Sequence, residues 1–357
     1  MNSSLPKRIL ITALDWGLGH ATRCIPIIRA LKKRNTEVFI ASSGRALILL
    51  REEFPELTNF ELIPYNIHYS RSLPFSVSLS LQIPKFLNAI KKEHDQVNQI
   101  VQDYKIDLII SDNRFGCWSA KVPSVFVTHQ VNLQMPRLLK WAEPLISRLN
   151  KNWIKKFSYC WIPDEPENPI TGKLSSTQNL DTRYIGMLSR FRSIDDVNKK
   201  HDLLILLSGP EPQRSVLEEK LIKQLNKFEG KIYFVRGLPG GAILPDHENA
   251  NLIIKNHLPS DELNRVIEES ETIICRSGYS TVMDMSRLAK KVIFIPTPGQ
   301  TEQEYLADEL SIRKIALYIN QDIFQLKQAL EFSKAYTGFP KSVEDDLLEK
   351  ALNQLRI

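Results

Sequence analysis

His20 is the residue whose type and setting best suit moving a proton, because imidazole is the side chain whose ordinary pKa lies near neutrality. It follows an apolar run, Ile9-Leu10-Ile11, and the loop Asp15-Trp16-Gly17-Leu18-Gly19, and it opens a helical pattern carrying Arg23, Pro26 and Leu31. Gly17 and Gly19 allow a tight turn after a strand and bring a ligand close to a helix N-terminus. There, unpaired N–H groups and a partial positive charge favour an anion. A histidine at that point can accept the proton of an attacking hydroxyl or water. The plainer reading is a helix cap. The fit to the dinucleotide fingerprint G-x-G-x-x-G is incomplete, since no third glycine follows.

A second loop of this kind is Cys275-Arg276-Ser277-Gly278-Tyr279-Ser280-Thr281, after the apolar run Thr272–Ile274. Ser277, Gly278, Ser280 and Thr281 can offer backbone and hydroxyl donors to a diphosphate at a helix start. Arg276 either adds charge there or forms a surface salt bridge. One turn on, Asp284 is placed to accept both hydroxyls of a ribose, as an acid does in other nucleotide folds, or to be a solvated helix acid. After Val292–Ile295, the turn Pro296–Gly299 leads into Glu302, Gln303 and Glu304, whose carboxylates and amide suit sugar hydroxyls or simply an acidic first helical turn. Ser208 and Gly209, with Gln213 and Arg214 following, make a third candidate phosphate-facing turn; a plain strand-to-helix connection reads equally well.

These loops need strands to hold them. Short β-branched runs alternate with helical patterns along most of the chain. Strands are expected at Arg8–Leu14, Glu37–Ser42, Phe60–Pro64, Asp107–Ser111, Ser124–His129 and Cys160–Ile162, with helices near Ala21–Arg34, Gly44–Glu53 and Lys85–Tyr104. A second series runs Leu203–Leu207, Ile232–Val235, Leu252–Lys255, Thr272–Cys275, Val292–Pro296 and Ala316–Ile319. Near-continuous apolar strands separated by helices predict α/β domains with parallel sheets covered on both faces. Pro163–Asp181, rich in Pro, Asn and Ser, reads as a linker. Two doubly wound domains would face a central cleft with the carboxyl ends of their strands. The segment 341–357 reads as a closing helix. Ser72–Leu81 alternates serine with apolar residues, as an edge strand or a groove lining would.

The 357 residues suit two domains, and 43% hydrophobic with 25% charged residues is ordinary for a folded protein. A formal charge of +6 is mildly basic. No basic block is interleaved with stacking aromatics, which argues against nucleic acid. Cys24, Cys117, Cys160 and Cys275 are scattered in or beside apolar segments, so buried reduced thiols are expected, without zinc or disulfides. The N-terminus is too short of apolar residues for a signal peptide, and no run reaches the ~18 needed to span a membrane. A cytoplasmic protein is expected. Arg137–Phe157 carries six cations, Trp141 and Trp153, and Glu143 as its single acid. That composition suits peripheral contact with an anionic lipid surface, or a solvated face in a helix that Pro144 interrupts.

Taken in order, these motifs resemble the family 28 glycosyltransferases. Cys275-Arg276-Ser277-Gly278 with Thr281-Val282 and an acid at 284 is similar to that family's nucleotide loop. Gln303 and Tyr305 fall where it has a sugar-contacting Gln and a neighbouring Tyr. His129-Gln130-Val131-Asn132 resembles its His-Glu-Gln-Asn acceptor-side motif in loosened form, which marks His129, Gln130 and Asn132 as acceptor-side candidates. The resemblance implies the GT-B arrangement of two Rossmann-like domains: 1–165 on the acceptor side with 341–357 packing back on it, and 182–340 binding the nucleotide sugar. It implies inverting, metal-independent transfer from a UDP-sugar such as UDP-N-acetylglucosamine to an alcohol, with no cofactor. His20 would be the base, and Gly17, Gly19, Ser208, Gly209 and the 276–284 and 302–304 residues the donor contacts. The acceptor, not named by the sequence, would be a lipid-linked or cell-surface glycan met at the inner membrane face.

Three positions depart from the family pattern: the Asp15–His20 loop lacks a Thr-flanked glycine run, the acceptor motif lacks its Glu, and Glu304 replaces a second Gln. Gly17–Cys24 is also similar to the matching loop of the UDP-sugar hydrolases of pseudaminic acid synthesis, which use water as acceptor. A UDP-sugar hydrolase, a 2-epimerase of the same fold and a non-catalytic nucleotide-sugar-binding protein are the alternatives.

Overall fold

The computed structural model describes residues 7–65, 75–131, 140–141, 143–167, 169–175, 181–238, 241–341 and 346–355. The chain divides into two compact units, Met1–Leu188 with Glu344–Ile357, and Ser189–Val343.

Unit 1 is built on a seven-stranded sheet in the order β3-β2-β1-β4-β5-β6-β7. Its strands are β1 (Arg8–Ala13), β2 (Glu37–Ser42), β3 (Asn59–Glu61), β4 (Leu108–Asp112), β5 (Ser124–Val127), β6 (Tyr159–Ile162) and β7 (Thr182–Tyr184). Every pairing is parallel. The apolar continuity of β1 has a direct cause. Ile9, Ile11 and Ala13 project into one layer with α1 (Leu18–Lys33) and α2 (Gly44–Glu53), while Leu10 projects into the opposite layer with α3 (Phe75–Asp103). The closing helix is α10 (Leu347–Gln354), shorter than expected, and its Ala351 and Leu352 complete the first of these layers.

Three local readings change. From Phe75 onward, the serine-alternating segment is the start of α3, a helix that continues through Pro84. A period-of-two pattern over so short a window loses to propagation of an established helix, where each added residue closes another hydrogen bond. Ser72–Pro74 lie outside the described residues. Pro144 does not interrupt α4 (Glu143–Ile154) but stands in its first turn, where a missing N–H costs nothing. The Pro163–Asp181 stretch leads into β7, which pairs with β6, and the division between units falls beyond it at Leu188.

Unit 2 repeats the plan with six parallel strands in the order β10-β9-β8-β11-β12-β13. These are β8 (His201–Leu206), β9 (Ile232–Val235), β10 (Leu252–Lys255), β11 (Ser270–Cys275), β12 (Val292–Phe294) and β13 (Leu317–Tyr318). Its helices are α5 (Gln213–Leu225), α6 (Ser260–Glu268), α7 (Tyr279–Arg287), α8 (Thr301–Ile312) and α9 (Leu326–Ser333). Leu203, Ile205 and Leu207 pack against Leu217, Leu221 and Leu225 of α5 in one buried layer. In each sheet the order reverses beside the first strand, between β1 and β4 and between β8 and β11. Loops on either side of such a switch point diverge and leave a crevice at the carboxyl ends of the strands.

Candidate active site

In unit 1 the switch point brings His20 to Asp112. Ala13 pairs with Asp112 across β1 and β4, and the Leu14 amide donates to the Asp112 carbonyl at 3.0 Å, so the strand ends are in register. The chain then turns through Gly17, at φ 93°, a conformation side chains other than glycine rarely adopt. A Cβ there would meet open space, so the loop itself does not require the close approach that glycine permits. α1 begins at Leu18, with Gly19 in its first turn accepting from the Thr22 hydroxyl at 2.9 Å.

His20 lies in that same turn, with its side chain 16% exposed. Its Nδ1 is 2.6 Å from Asp112 Oδ1, and Asp112 is buried. Arg23, one turn on and also buried, donates from Nε to Asp112 Oδ2 and from Nη2 to Oδ1 at 2.7 Å. This is the bidentate fork that suits a carboxylate. Burial works to raise the Asp112 pKa, but Arg23 and His20 beside it prevail and hold it below the usual carboxylate range. Asp112 is therefore an anion that can orient an imidazole and stabilise its protonated form.

His129 stands just past β5 and is buried, with its Nδ1 3.0 Å from Arg23 Nη1. Gln130 is half-buried; its amide donates to Thr128 Oγ1 at 3.1 Å and its carbonyl accepts from Asn150 Nδ2 at 3.1 Å. Asn150, on α4, also donates to the Val131 carbonyl at 3.1 Å and so pins this turn. Asn132 and Arg137 lie outside the described residues. Asp112 and Arg23 are the members of this cluster that sequence reasoning passed over. The expected strand ended one residue early, at Ser111, and Arg23 was noted only as part of the helix. A carboxylate closing a central parallel strand was the available signal.

In unit 2, Ser208 and Gly209 are exposed after β8, with Gly209 at φ 108° and the Thr297 hydroxyl 3.4 Å from where its Cβ would stand. The Ser208 and Thr297 loops thus close on each other. Gly278 is the N-cap of α7, extended at φ −63° and ψ 143°, and a Cβ there would meet nothing within 4 Å. Ser280 and Thr281 are half-buried in the first turn of α7. Asp284 accepts a hydrogen bond from Ser189 Oγ at 2.5 Å. Burial pushes its pKa up to about 6, against the opposing pull of Arg190 and Ser189.

Arg276 is neither solvent-facing nor salt-bridged at the surface. It is buried, and Nη1 donates to the Ile295 and Pro296 carbonyls at 3.0 and 2.9 Å. Nη2 donates to the Gln213 carbonyl at 2.9 Å and to Gln321 Oε1 at 2.7 Å. Burial lowers its pKa to about 10. A planar fork with several donors can satisfy carbonyls from several loop ends at once, and here it fastens β11, β12 and α5 together. Arg214, expected near a phosphate, is likewise engaged, pairing with Glu211 and Glu218 at 2.6 and 2.7 Å. The Ser277 hydroxyl is buried and donates to the Gln303 carbonyl at 2.7 Å.

Gln303 and Glu304 brace the loop before α8. Gln303 Oε1 accepts from the Thr297 amide at 2.9 Å, its Nε2 donates to Gln300 Oε1 at 2.5 Å, and Glu304 Oε1 accepts from the Gly299 amide at 3.0 Å. First-turn side chains reach back to loop amides in this way because those donors have no partner within the helix. Glu302 and Tyr305 are half-buried beside them. The four cysteines are buried and reduced.

Two doubly wound parallel-sheet units, each with its polar loops at a switch point, define the GT-B fold class. The comparisons agree. The calicheamicin glycosyltransferase CalG4 superposes with a TM-score of 0.65 at 11% identity, covering 98% of this chain and 93% of that one. The MurG protein of Acinetobacter baumannii does so with a TM-score of 0.55 at 13% identity, covering 98% and 95%. Residues 245–335 match the model described as glycosyltransferase family 28 C-terminal domain. The UDP-N-acetylglucosamine--N-acetylmuramyl-(pentapeptide) pyrophosphoryl-undecaprenol N-acetylglucosamine transferase of Lactobacillus johnsonii is 19% identical over 320 residues, 83% of this chain and 80% of that protein. Over residues 245–335 the chain is thus similar to the family 28 glycosyltransferases, and over most of its length to a protein named as an N-acetylglucosamine transferase.

Proposed function

We propose that the chain transfers a sugar with inversion from a UDP-sugar, UDP-N-acetylglucosamine first among candidates, to an alcohol acceptor without a metal. The observation that carries this is His20 against ionised Asp112 at the switch point of unit 1, 2.6 Å apart. The acceptor hydroxyl gives its proton to His20 Nε2 as its oxygen attacks the anomeric carbon. The bond from that carbon to the diphosphate breaks, and UDP leaves with the electron pair. Asp112 stabilises the imidazolium, as a buried carboxylate does in a Ser-His-Asp triad.

The donor contacts are proposed on unit 2. The α7 N-terminus with Gly278, Ser280 and Thr281, and the Ser208-Gly209 turn, supply fixed dipoles for the leaving diphosphate. Asp284 holds the ribose. Glu302 meets the sugar, while Gln303 and Glu304 act through the loop they brace. Gly17 and Gly19 open the backbone for the reacting groups. His129, Gln130 and Asn132 serve the acceptor.

The printed name of the L. johnsonii relative supports a lipid-linked acceptor. So does α4, where Leu145 and Leu149 are 60% and 54% exposed on one face, Trp141 before the helix is 78% exposed, and Lys140, Arg148, Lys155 and Lys156 are exposed as well. An apolar stripe edged by cations suits an anionic membrane surface, which supports peripheral contact with one. Among the described residues, no helix is long and apolar enough to cross one.

Hydrolysis is the second reading, favoured by the Gly17–Cys24 loop, because the same His20–Asp112 pair can activate water. UDP release from UDP-sugars, measured with and without polyprenyl-linked and simple alcohol acceptors, separates the two. A transferase releases UDP only with acceptor; a hydrolase releases it from donor alone. His20→Ala should lower turnover by about 10²–10⁴-fold while still binding donor. Full turnover in that variant would sink the base assignment.

A further inference from the structure

We infer that Trp16 is a stacking platform for a pyranose ring of the acceptor, with Asp15 accepting a hydrogen bond from one of that ring's hydroxyls. This rests on the reading that an alcohol acceptor is brought to His20, and it makes that alcohol part of a sugar.

Trp16 is 42% exposed in the loop that joins β1 to α1 and leads into His20. A lone exposed apolar side chain is ordinary on a protein surface. This one is braced. Its ring meets Phe86 of α3 at 5.9 Å between centroids, tilted by 36°, and meets Tyr65 edge-on at 6.2 Å and 75°. Phe86 and Tyr65 are themselves 5.0 Å apart, and Tyr65 is buried. Two packed rings therefore set the plane of a third that reaches solvent.

The bracing continues into a buried ion pair for which the transfer step has no use. The Tyr65 hydroxyl donates to Glu93 Oε2 at 2.5 Å, and the Arg114 guanidinium lies 5.2 Å from the Tyr65 ring centroid. Arg114 Nε donates to Glu93 Oε1 at 2.5 Å, with neither side chain exposed. Arg114 Nη1 donates to the Ala13 carbonyl and to Ser43 Oγ, both at 3.1 Å, and Nη2 to the Ile63 carbonyl at 2.7 Å. Ser43 Oγ in turn donates to Asp15 Oδ2 at 2.8 Å. One buried cation thus ties the end of β1, the start of α2 and the approach to Tyr65, the three supports of the Asp15–Trp16 loop. A buried ion pair contributes little net stability, and fixing one arrangement is the role left to it. A ring held in advance loses little freedom when a ligand covers it.

The chemistry of the loop selects a sugar over a hydrocarbon chain. The face of an indole carries negative charge density, and the C–H bonds on one face of a pyranose are polarised positive by the ring oxygens. Beside Trp16, Asp15 Oδ1 is buried and has no donor among the described residues. A carboxylate oxygen in that state lacks a hydrogen bond that a ring hydroxyl supplies and a hydrocarbon does not. On the other side, a Cβ at Gly17 would meet nothing within 4 Å, so the space along the loop is open.

The experiment is saturation-transfer NMR on the full chain with UDP and the methyl β-pyranosides of glucose, galactose and N-acetylglucosamine, with octanol as the ring-less control. Expected is transfer to the protons of one pyranose face, in the unaltered protein and equally in His20→Gln. Trp16→Ala should weaken pyranoside binding about tenfold, and Trp16→Phe, which keeps an aromatic face, should restore it to within about threefold. Binding of none of the pyranosides, equal affinity in Trp16→Ala, or an equal loss for octanol would overturn the platform. Pyranoside binding that depends on Trp16 without turnover of any acceptor would support the platform and remove the transfer reading instead. Asp15→Ala should weaken the pyranosides about threefold or more and leave octanol unaffected; unchanged pyranoside binding would overturn its share. Phe86 is a positioning residue: Phe86→Ala should raise the KM of a pyranoside acceptor about fivefold at constant kcat, and Phe86→Tyr should restore it. An unchanged KM in Phe86→Ala would overturn the bracing.

Discussion

Asp112 and Asp284 are two carboxyl groups whose surroundings drive them in opposite directions. Asp112 sits on the Arg23 fork and beside His20, which outweigh its burial and keep it ionised. Asp284 has one hydroxyl donor, Ser189, and burial lifts it from 3.8 to about 6. The consequences for stability therefore differ in sign. Asp112 stabilises the fold above the ordinary carboxylate pKa, and that contribution is lost as pH falls through its lowered value. Asp284 favours the fold most at low pH and loses its contribution as pH rises from about 4 through about 6. If Asp284 accepts the ribose hydroxyls, it must be ionised to do so. UDP affinity should then rise with pH through about 6, and Asp284→Asn should remove that rise and weaken binding about tenfold or more. Titration calorimetry from pH 5 to 8 checks this; a flat profile for the unaltered protein would exclude the ribose role. His20 was legible from its type and its place after a glycine turn. Asp112 was not singled out because its partner lies 92 positions away in the chain, a separation only the β1–β4 pairing closes.

At the scale of single elements, the N-terminus of α7 separates structure from function. Gly278 has an ordinary φ of −63°, and a Cβ would enter open space. Nothing in the fold therefore requires glycine there, whereas a diphosphate drawn against the helix end would. Gly278→Ala should change stability by less than about 1 kcal/mol, since a small gain in backbone rigidity offsets a poorer cap. It should nevertheless weaken UDP binding about tenfold. Equal affinities would show that the loop does not hold the phosphates. The exposed face of α4 carries its own prediction. Leu145→Gln with Leu149→Gln should lower binding to vesicles containing anionic lipid, measured by cosedimentation, without altering the melting temperature, because both side chains are already more than half exposed. Unchanged cosedimentation would exclude this face. Element boundaries were legible where burial on both faces of a strand wrote a continuous apolar run, as in β1 and β11. They were not where a short pattern belonged to a longer element, as with the serine alternation at the start of α3, or where a three-residue strand such as β7 depends on its neighbour.

At the scale of the molecule, the alternation of apolar strands and helices carried enough information to imply two parallel sheets, because each strand buried on both faces must be covered by helices that the chain itself supplies. The two units have separate cores. One gathers Ile9, Ile11 and Ile28 with Leu352 of α10; the other gathers Leu203, Leu217 and Phe324. α10 is further tied to α1 by Arg34, which pairs with Glu349 and donates to Asn353 Oδ1 at 2.8 Å. Helix α10 therefore stabilises unit 1, while UDP is proposed to bind unit 2. Leu352 is fully buried, so Leu352→Ala should cost about 2–5 kcal/mol. For a unit of this size that lowers the melting midpoint by roughly 5–15 °C. UDP at about a hundred times its Kd should add about 2.7 kcal/mol to the unit that binds it. Scanning calorimetry should accordingly show two transitions: one lowered by Leu352→Ala and little moved by UDP, the other raised by UDP and unmoved by the substitution. If UDP instead raised the transition that Leu352→Ala lowers and left the other in place, the nucleotide would bind the wrong unit for the donor contacts proposed around Gly278 and Asp284.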